Sequence, residues 1–158
     1  QFASLTLGSG ASAAVVGRTD RHPEGHRILR GITRAGTDHH DLCVGDHKGM
    51  FTDSTALLRD GLELVMDAWN EVPADWGWSG MDRYVTHQVS RLHTDSITEA
   101  AGLDPDRFPV TFPELGNVGP ASLPITLARE AGSLSAGDRV LCMGVGSGLN
   151  TAMLEISW

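Results

Sequence analysis

The last stretch of the chain, RVLCMGVGSGLNTAMLEISW from Arg139 to Trp158, constrains the fold more than any other segment. Two runs rich in Val, Leu, Ile and Met flank Gly146-Ser147-Gly148-Leu149-Asn150, so Arg139–Val145 and Thr151–Trp158 read as strands joined by a glycine-rich turn. A hairpin this apolar cannot bury both faces by itself; it needs more strands beside it and helices against it.

Upstream segments supply both. Leu57, Leu58, Leu62, Val65 and Trp69 share one helical face from about Thr55, with Asp53 or Ser54 as cap and Pro73 as terminator. Arg83–Thr86 reads as a strand. Val89–Ala101 reads as a helix with Val89, Leu92, Ile97 and Ala100 inward, stopped by Gly102 and Pro105. Ala121–Ala131 is a third helix between Pro120 and Gly132. His26–Ala35 reads as an edge strand, residues 36–54 as a long loop, and DWGWSG as a Trp-rich loop. Residues 1–18 read as two short strands, Phe2–Leu7 and Ala11–Gly17, around Gly8-Ser9-Gly10. Strands alternating with helices give an α/β fold with a mixed sheet. A chain that opens directly on a strand, at Gln1, also carries the expectation that part of that sheet lies upstream.

With 158 residues the chain suffices for one core. A net charge of -8 without a Lys/Arg run gives no electrostatic footprint for nucleic acid or an anionic membrane. No apolar run approaches the roughly 20 residues of a membrane span. Cys43 and Cys142 lie among apolar neighbours and outside any CxxC, which suits reduced thiols and a cytoplasmic location.

Ligands of α/β sheets gather beyond the carboxyl ends of strands. His87 follows a strand, Asn117 lies in the turn Gly116-Asn117-Val118-Gly119, and Ser147 lies in the last glycine-rich turn. An imidazole, a carboxamide and a backbone N–H could together serve a developing oxyanion. By spacing alone each has a plainer reading: a packed histidine, an Asn that tolerates left-handed geometry, and an ordinary hairpin turn.

The runs HQVSRLHT, FPELGNVGPASLP and GVGSGLNTAMLEISW, with TLGSGASAAVV and the DLCVGD-to-MFTD segment, resemble the C-terminal half of a thiolase-superfamily condensing enzyme. The general pattern is that of β-ketoacyl-acyl-carrier-protein synthase III, and the nearer likeness is to the acyl-CoA condensing type of olefin biosynthesis. His87 is followed by Gln-Val-Ser where synthase III commonly has Gln-Ala-Asn, and the late turn is Gly-Ser-Gly rather than a run of glycines. Both departures favour the olefin type. The resemblance implies half of an α-β-α-β-α sandwich, with a mixed five-stranded sheet. Residues 1–18 would close the N-terminal half and residues 19–158 form the C-terminal half.

The same resemblance implies a 3-oxoacyl synthase or acyltransferase performing Claisen condensation on acyl-CoA or acyl-ACP, with no resident cofactor or metal. His87 and Asn117 would be two of three central catalytic groups. The Ser147 backbone N–H would be an oxyanion donor, and Arg91 would reach the phosphates of coenzyme A unless it is only a solvated helix residue. The third group, a cysteine thiolate at a helix N-terminus, matches neither Cys43 nor Cys142. It would belong to a complementary N-terminal half, the complete enzyme being a homodimer and this chain alone inactive. Two other readings stay open. One is a non-catalytic thiolase-like partner or isolated fragment serving dimerisation or acyl binding. The other is a metal site at Asp38-His39-His40-Asp41 with His47, which adjacent, divergent histidines make poor.

Overall fold

A computed structural model describes residues 5–158. The terminal hairpin forms as its sequence requires: β5 (Arg139–Gly146) pairs antiparallel with β6 (Asn150–Ser157), Cys142 opposite Leu154 and Met143 opposite Met153. On the outer side of β6 lies β1 (Arg27–Ala35), antiparallel, and on the outer side of β5 lies β4 (Arg83–Thr86), parallel. Among the described residues the order β1-β6-β5-β4 gives a mixed sheet of four strands where five were expected. β1 is the edge strand its alternating pattern predicts.

Residues 36–54, expected as loop, contain a separate ribbon of β2 (Cys43–Asp46) and β3 (Gly49–Thr52). Asp46 accepts from the backbone N–H of Lys48 and Gly49, at 2.8 and 3.1 Å, and so turns the chain between them. Too few apolar residues alternate there for sequence periodicity to reveal it.

Residues 1–4 lie outside the described part, so the first half of the expected strand Phe2–Leu7 does as well. Its described end, Leu7, makes one isolated parallel bridge to Asn117. Ala11–Gly17, expected as a strand, forms no regular element, and Val15 and Val16 are exposed. No strand among the described residues runs beside it, and an extended segment without a partner makes no ladder.

Helices cover both faces of the sheet. α1 (Ser54–Glu71) lies against β1, β6 and α2 (Arg91–Ala101), while α3 (Ser122–Glu130) lies against β4 and β5. Asp53 caps α1 by accepting from Ala56 N–H at 3.0 Å. The face that α1 buries runs through Ala56, Asp60, Gly61, Val65 and Ala68, so the expected Leu57, Leu58, Leu62 and Trp69 are only half-buried beside it. Small residues let the helix axis approach the sheet, and the larger side chains splay to either side. α2 ends in a left-handed Gly102 (φ 63°), with Gly102 N–H on Glu99 O and Leu103 N–H on Thr98 O. That cap turns Leu103 into the core; the buried face of α2 carries Thr94 and Thr98, while Leu92 and Ala100, expected inward, are exposed.

Strand alternation sorts the core. Leu141, Met143 and Met153 face one layer with Val65, Ala68, Trp78, Met81 and Tyr84; Val85, Val140 and Cys142 face the other, with Leu123 and Leu127 of α3. Glu155 shares the side of Met153 and is 0% exposed. Its carboxylate accepts from Trp78 Nε1 at 2.8 Å and from Arg139 Nε at 2.9 Å, and pairs with Arg30 Nε at 3.1 Å. Removing one member of a buried ionic cluster strands the others, at a cost of about 3 kcal/mol or more. Glu155→Ala is therefore expected to lower the unfolding free energy from urea titration by that order, whereas Leu92→Lys on the exposed face of α2 leaves it nearly unchanged.

Candidate active site

β4 and β5 run parallel, so the segments that follow them leave the sheet at one end. His87 comes directly after β4, and its backbone N–H donates to Met143 O of β5 at 2.9 Å. The half-buried ring then turns toward α3, where its Nδ1 lies 2.8 Å from Ser122 Oγ. Ser122 is 0% exposed. Its hydroxyl donates to Gly119 O at 2.8 Å and lies 3.4 Å from Gln88 N–H. Gly119 N–H in turn donates to Asn117 Oδ1 at 2.9 Å. Through Ser122 and Gly119, the two sequence-predicted groups His87 and Asn117 belong to one hydrogen-bonded unit.

Asn117 is held at its backbone as well. Its N–H donates to Thr6 O at 2.8 Å, and its carbonyl accepts from Gly8 N–H at 2.9 Å. The left-handed residues of this turn are Gly116 (φ 67°) and Gly119 (φ 60°), not Asn117, so the asparagine is not there to supply unusual backbone geometry. A Cβ at Gly116 would stand 2.6 Å from Thr6 O, so the close approach of residues 6–8 requires glycine. With Oδ1 fixed by Gly119, the Asn117 amide can present its Nδ2 donors elsewhere.

Behind this unit lies a hydrogen-bonded polar layer. Gln88, 0% exposed, donates to Thr86 O at 3.0 Å and Pro109 O at 3.3 Å, and accepts from Thr111 N–H at 2.8 Å. Thr111 and Thr126 share a 2.7 Å hydroxyl contact, and Thr126 donates to Ser122 O at 2.7 Å. The layer bolts loop 108–111 and α3 to the end of β4. Sequence reading missed Gln88 and Ser122; the only signal was a polar pair, His-Gln, after an apolar strand, and a serine one turn beyond the Gly-Asn-Val-Gly motif.

The contacts do not connect Ser147 to this unit. It is exposed on the β5–β6 turn, its carbonyl accepts from Asn150 Nδ2 at 3.1 Å, and it borders an open depression with Leu7, Cys43, His47 and Met50. Leu7 is the common neighbour, pairing with Asn117 and lining the same depression as Ser147. Arg91 stands at the start of α2, exposed, with Asp95 at 4.0 Å. His39 pairs with Asp60 at 3.2 Å and His40 with Thr37 O at 3.1 Å. Among the described residues no group of three or more His, Cys, Asp or Glu could hold a metal ion.

Burial lowers the pKa of His87, and the nearby His93 lowers it further. His93, bonded through Nδ1 to Ser90 Oγ at 2.8 Å, is itself lowered by burial. Burial pushes the Cys142 thiol up to about 12, so at neutral pH it is protonated and inert. Cys43, half-buried at the start of β2, contacts Thr52 Oγ1 at 3.5 Å and sits at no helix N-terminus.

Residues 73–158 match the family described as 3-oxoacyl-(acyl-carrier-protein) synthase III, C-terminal. The chain belongs to this family. It is 41% identical to an acyl-CoA:acyl-CoA alkyltransferase of Xanthomonas campestris pv. campestris, over 100% of this chain and 48% of that protein. To a protein of the same description from Shewanella oneidensis it is 34% identical, over 99% of this chain and 50% of the relative. A crystal structure of Xanthomonas campestris OleA with bound lauric acid and lauroyl-CoA superposes with a TM-score of 0.83 at 39% identity, covering 89% of this chain and 43% of that one. FabH of Xanthomonas oryzae pv. oryzae gives 0.86 at 37% identity, covering 99% and 48%. The fold is thereby thiolase-like, and the chain spans about half the length of the curated relatives it matches.

Two outcomes follow from the titrations. The unfolded His87 imidazole titrates near 6.5 and the folded one lower. Below that pH the unfolded chain therefore binds a proton that the native state refuses, and stability falls as pH drops from about 7 toward 5. His87→Asn should flatten part of that slope in urea titrations, leaving the share due to His93. Under native conditions at neutral pH, iodoacetamide should leave Cys142 unmodified, as peptide mass mapping would show, and label it only after unfolding.

Proposed function

We propose that this chain supplies the C-terminal part of a condensing site that joins acyl thioesters by Claisen condensation. The observation that carries the reading is the single hydrogen-bonded unit of His87, Ser122, Gly119 and Asn117 at the carboxyl end of β4, in a chain of this family. Condensation makes a carbanion beside one thioester carbonyl and a tetrahedral oxyanion at another, so it needs a proton-exchanging group and donors aimed at oxygen. His87 is the first, the Asn117 carboxamide a donor, and the Ser147 backbone N–H a second donor once the site is complete. The acyl groups arrive on coenzyme A or on the phosphopantetheine of a carrier protein, with Arg91 exposed for their phosphates.

The nucleophile that holds the first acyl group lies outside this chain. Cys142 is buried mid-strand with its thiol protonated, and Cys43 lacks the helix N-terminus that would favour a thiolate. A complementary N-terminal half carries that cysteine, the chain alone does not turn over, and the complete enzyme is a homodimer in the cytoplasm. The exposed Val44, Met50 and Phe51 of the ribbon favour a second reading, in which the chain serves assembly or acyl binding without catalysis.

Native and denaturing mass spectrometry of the isolated protein, incubated with an acyl-CoA, separates the two. A companion polypeptide acylated on cysteine, with condensation lost about 100-fold or more in His87→Ala and Asn117→Ala, supports the condensing site. Condensation that survives both substitutions, or a lone 16.8 kDa species that itself takes the acyl group on Cys43 or Cys142 and turns over, rejects it.

A further inference from the structure

Two short contacts meet at one serine oxygen. Ser122 Oγ lies 2.8 Å from Gly119 O and 2.8 Å from His87 Nδ1. A carbonyl oxygen can only accept, so at that distance the serine proton must lie between Oγ and Gly119 O; two oxygens this close with no proton between them repel. The hydroxyl has no second proton to give. The contact to the ring must then be bridged by a proton that the ring provides. Gln88 N–H, at 3.4 Å, points a proton at the same oxygen and takes one of its two lone pairs, which leaves the other for the ring N–H.

We infer that Ser122 is a positioning residue that holds neutral His87 as the Nδ1–H tautomer and leaves the lone pair on Nε2. His87 thus meets substrate first as a proton acceptor, and becomes a hydrogen-bond donor at Nε2 only after taking up a proton. This deepens the proposed function and rests on it for its catalytic meaning. A neutral imidazole that donates to a thioester oxygen would need the opposite tautomer. The serine is itself held in place: Gly119 O orients its hydroxyl, and Gly119 also donates its N–H to Asn117 Oδ1. One glycine therefore sets the ring tautomer of His87 and the amide orientation of Asn117 together, with the ring accepting and the carboxamide donating. Thr126, donating to Ser122 O at 2.7 Å, fixes the first turn of α3 beneath them.

The test is nitrogen NMR of the protein with 15N-labelled histidine, studied together with any companion chain that travels with it, at a pH where His87 is neutral. The expected spectrum has a pyrrole-type signal at Nδ1 and a pyridine-type signal at Nε2 of His87. In Ser122→Ala the preference should weaken or invert, while His93, bonded to Ser90 instead, keeps its own pattern. Ser122→Cys, close in size with a weaker sulfur acceptor, should fall between the two. A wild-type His87 with its proton on Nε2 overturns the inference whatever the variants do, and so does a Ser122→Ala spectrum identical to wild type. In the condensation assay Ser122→Ala should lower kcat by about 100-fold with KM little changed, and should shift the acidic limb of the pH profile. The NMR result does not depend on turnover, so failure of the condensing reading and failure of the tautomer assignment are told apart.

Discussion

A carboxylate with no access to water sits in the last strand, and the arrangement of the sheet is organised around it. Glu155 accepts from the Trp78 indole and from Arg139, and pairs with Arg30, while Arg30 also lies over the Trp76 ring at 5.4 Å. Burying a carboxylate costs several kcal/mol, and only well-formed pairing offsets it. The Arg30 and Arg139 side chains stay about a third exposed, at 35% and 33%, so the cluster neutralises the carboxylate without fully burying its partners. Because the four side chains come from β1, β5, β6 and the Trp-rich loop, the cluster fixes how those elements meet. A further bond from the Arg139 guanidinium to Trp76 O, at 2.5 Å, extends the same clamp to the loop backbone.

That clamp acts at one end of the sheet, and the candidate site occupies the other. β5 joins them: Arg139 at its start belongs to the cluster, and Met143, further along, receives the His87 backbone N–H. The site is then shaped by polar satisfaction more than by apolar packing. Gln88 uses its amide nitrogen and its carbonyl on backbone groups, and Thr111, Thr126 and Ser122 complete the layer. Every member is partnered, so displacing any of them would strand a buried polar group, and the imidazole and carboxamide in front inherit that rigidity. The ribbon and the Ser147 turn are built differently, with exposed apolar side chains around an open depression. The two parts of the proposed site thus differ in how firmly the chain itself holds them.

The glycines and the closing hairpin made much of the architecture legible. Gly102, at φ 63°, ends α2 where the sequence places the stop, and β5 and β6 fall within a residue of their expected bounds. The errors have local causes. α1 buries small residues and an aspartate where a leucine face was expected, since close approach to a sheet rewards small side chains. The ribbon within residues 36–54 is held by Asp46 and by strand pairing, neither of which leaves a periodic signature. Ala11–Gly17 has strand composition, but composition cannot supply a neighbour.

His87 and Asn117 could be named as candidates because the motifs around them resemble those of the family, their positions after a strand and inside a glycine-flanked turn being compatible with plainer roles as well. Little local marks Ser122 beyond its place one turn after the Gly-Asn-Val-Gly motif, and it gains its meaning from a ring 35 residues earlier in the chain. The same holds for Glu155, an ordinary glutamate in the sequence and a buried hub in three dimensions. The sequence by itself determined the alternation of strands and helices and the closing hairpin, because those follow from local periodicity and turn chemistry. Only the tertiary structure decided which groups share protons, because hydrogen bonds join atoms brought together from distant parts of the chain, and sequence spacing holds no measure of that distance.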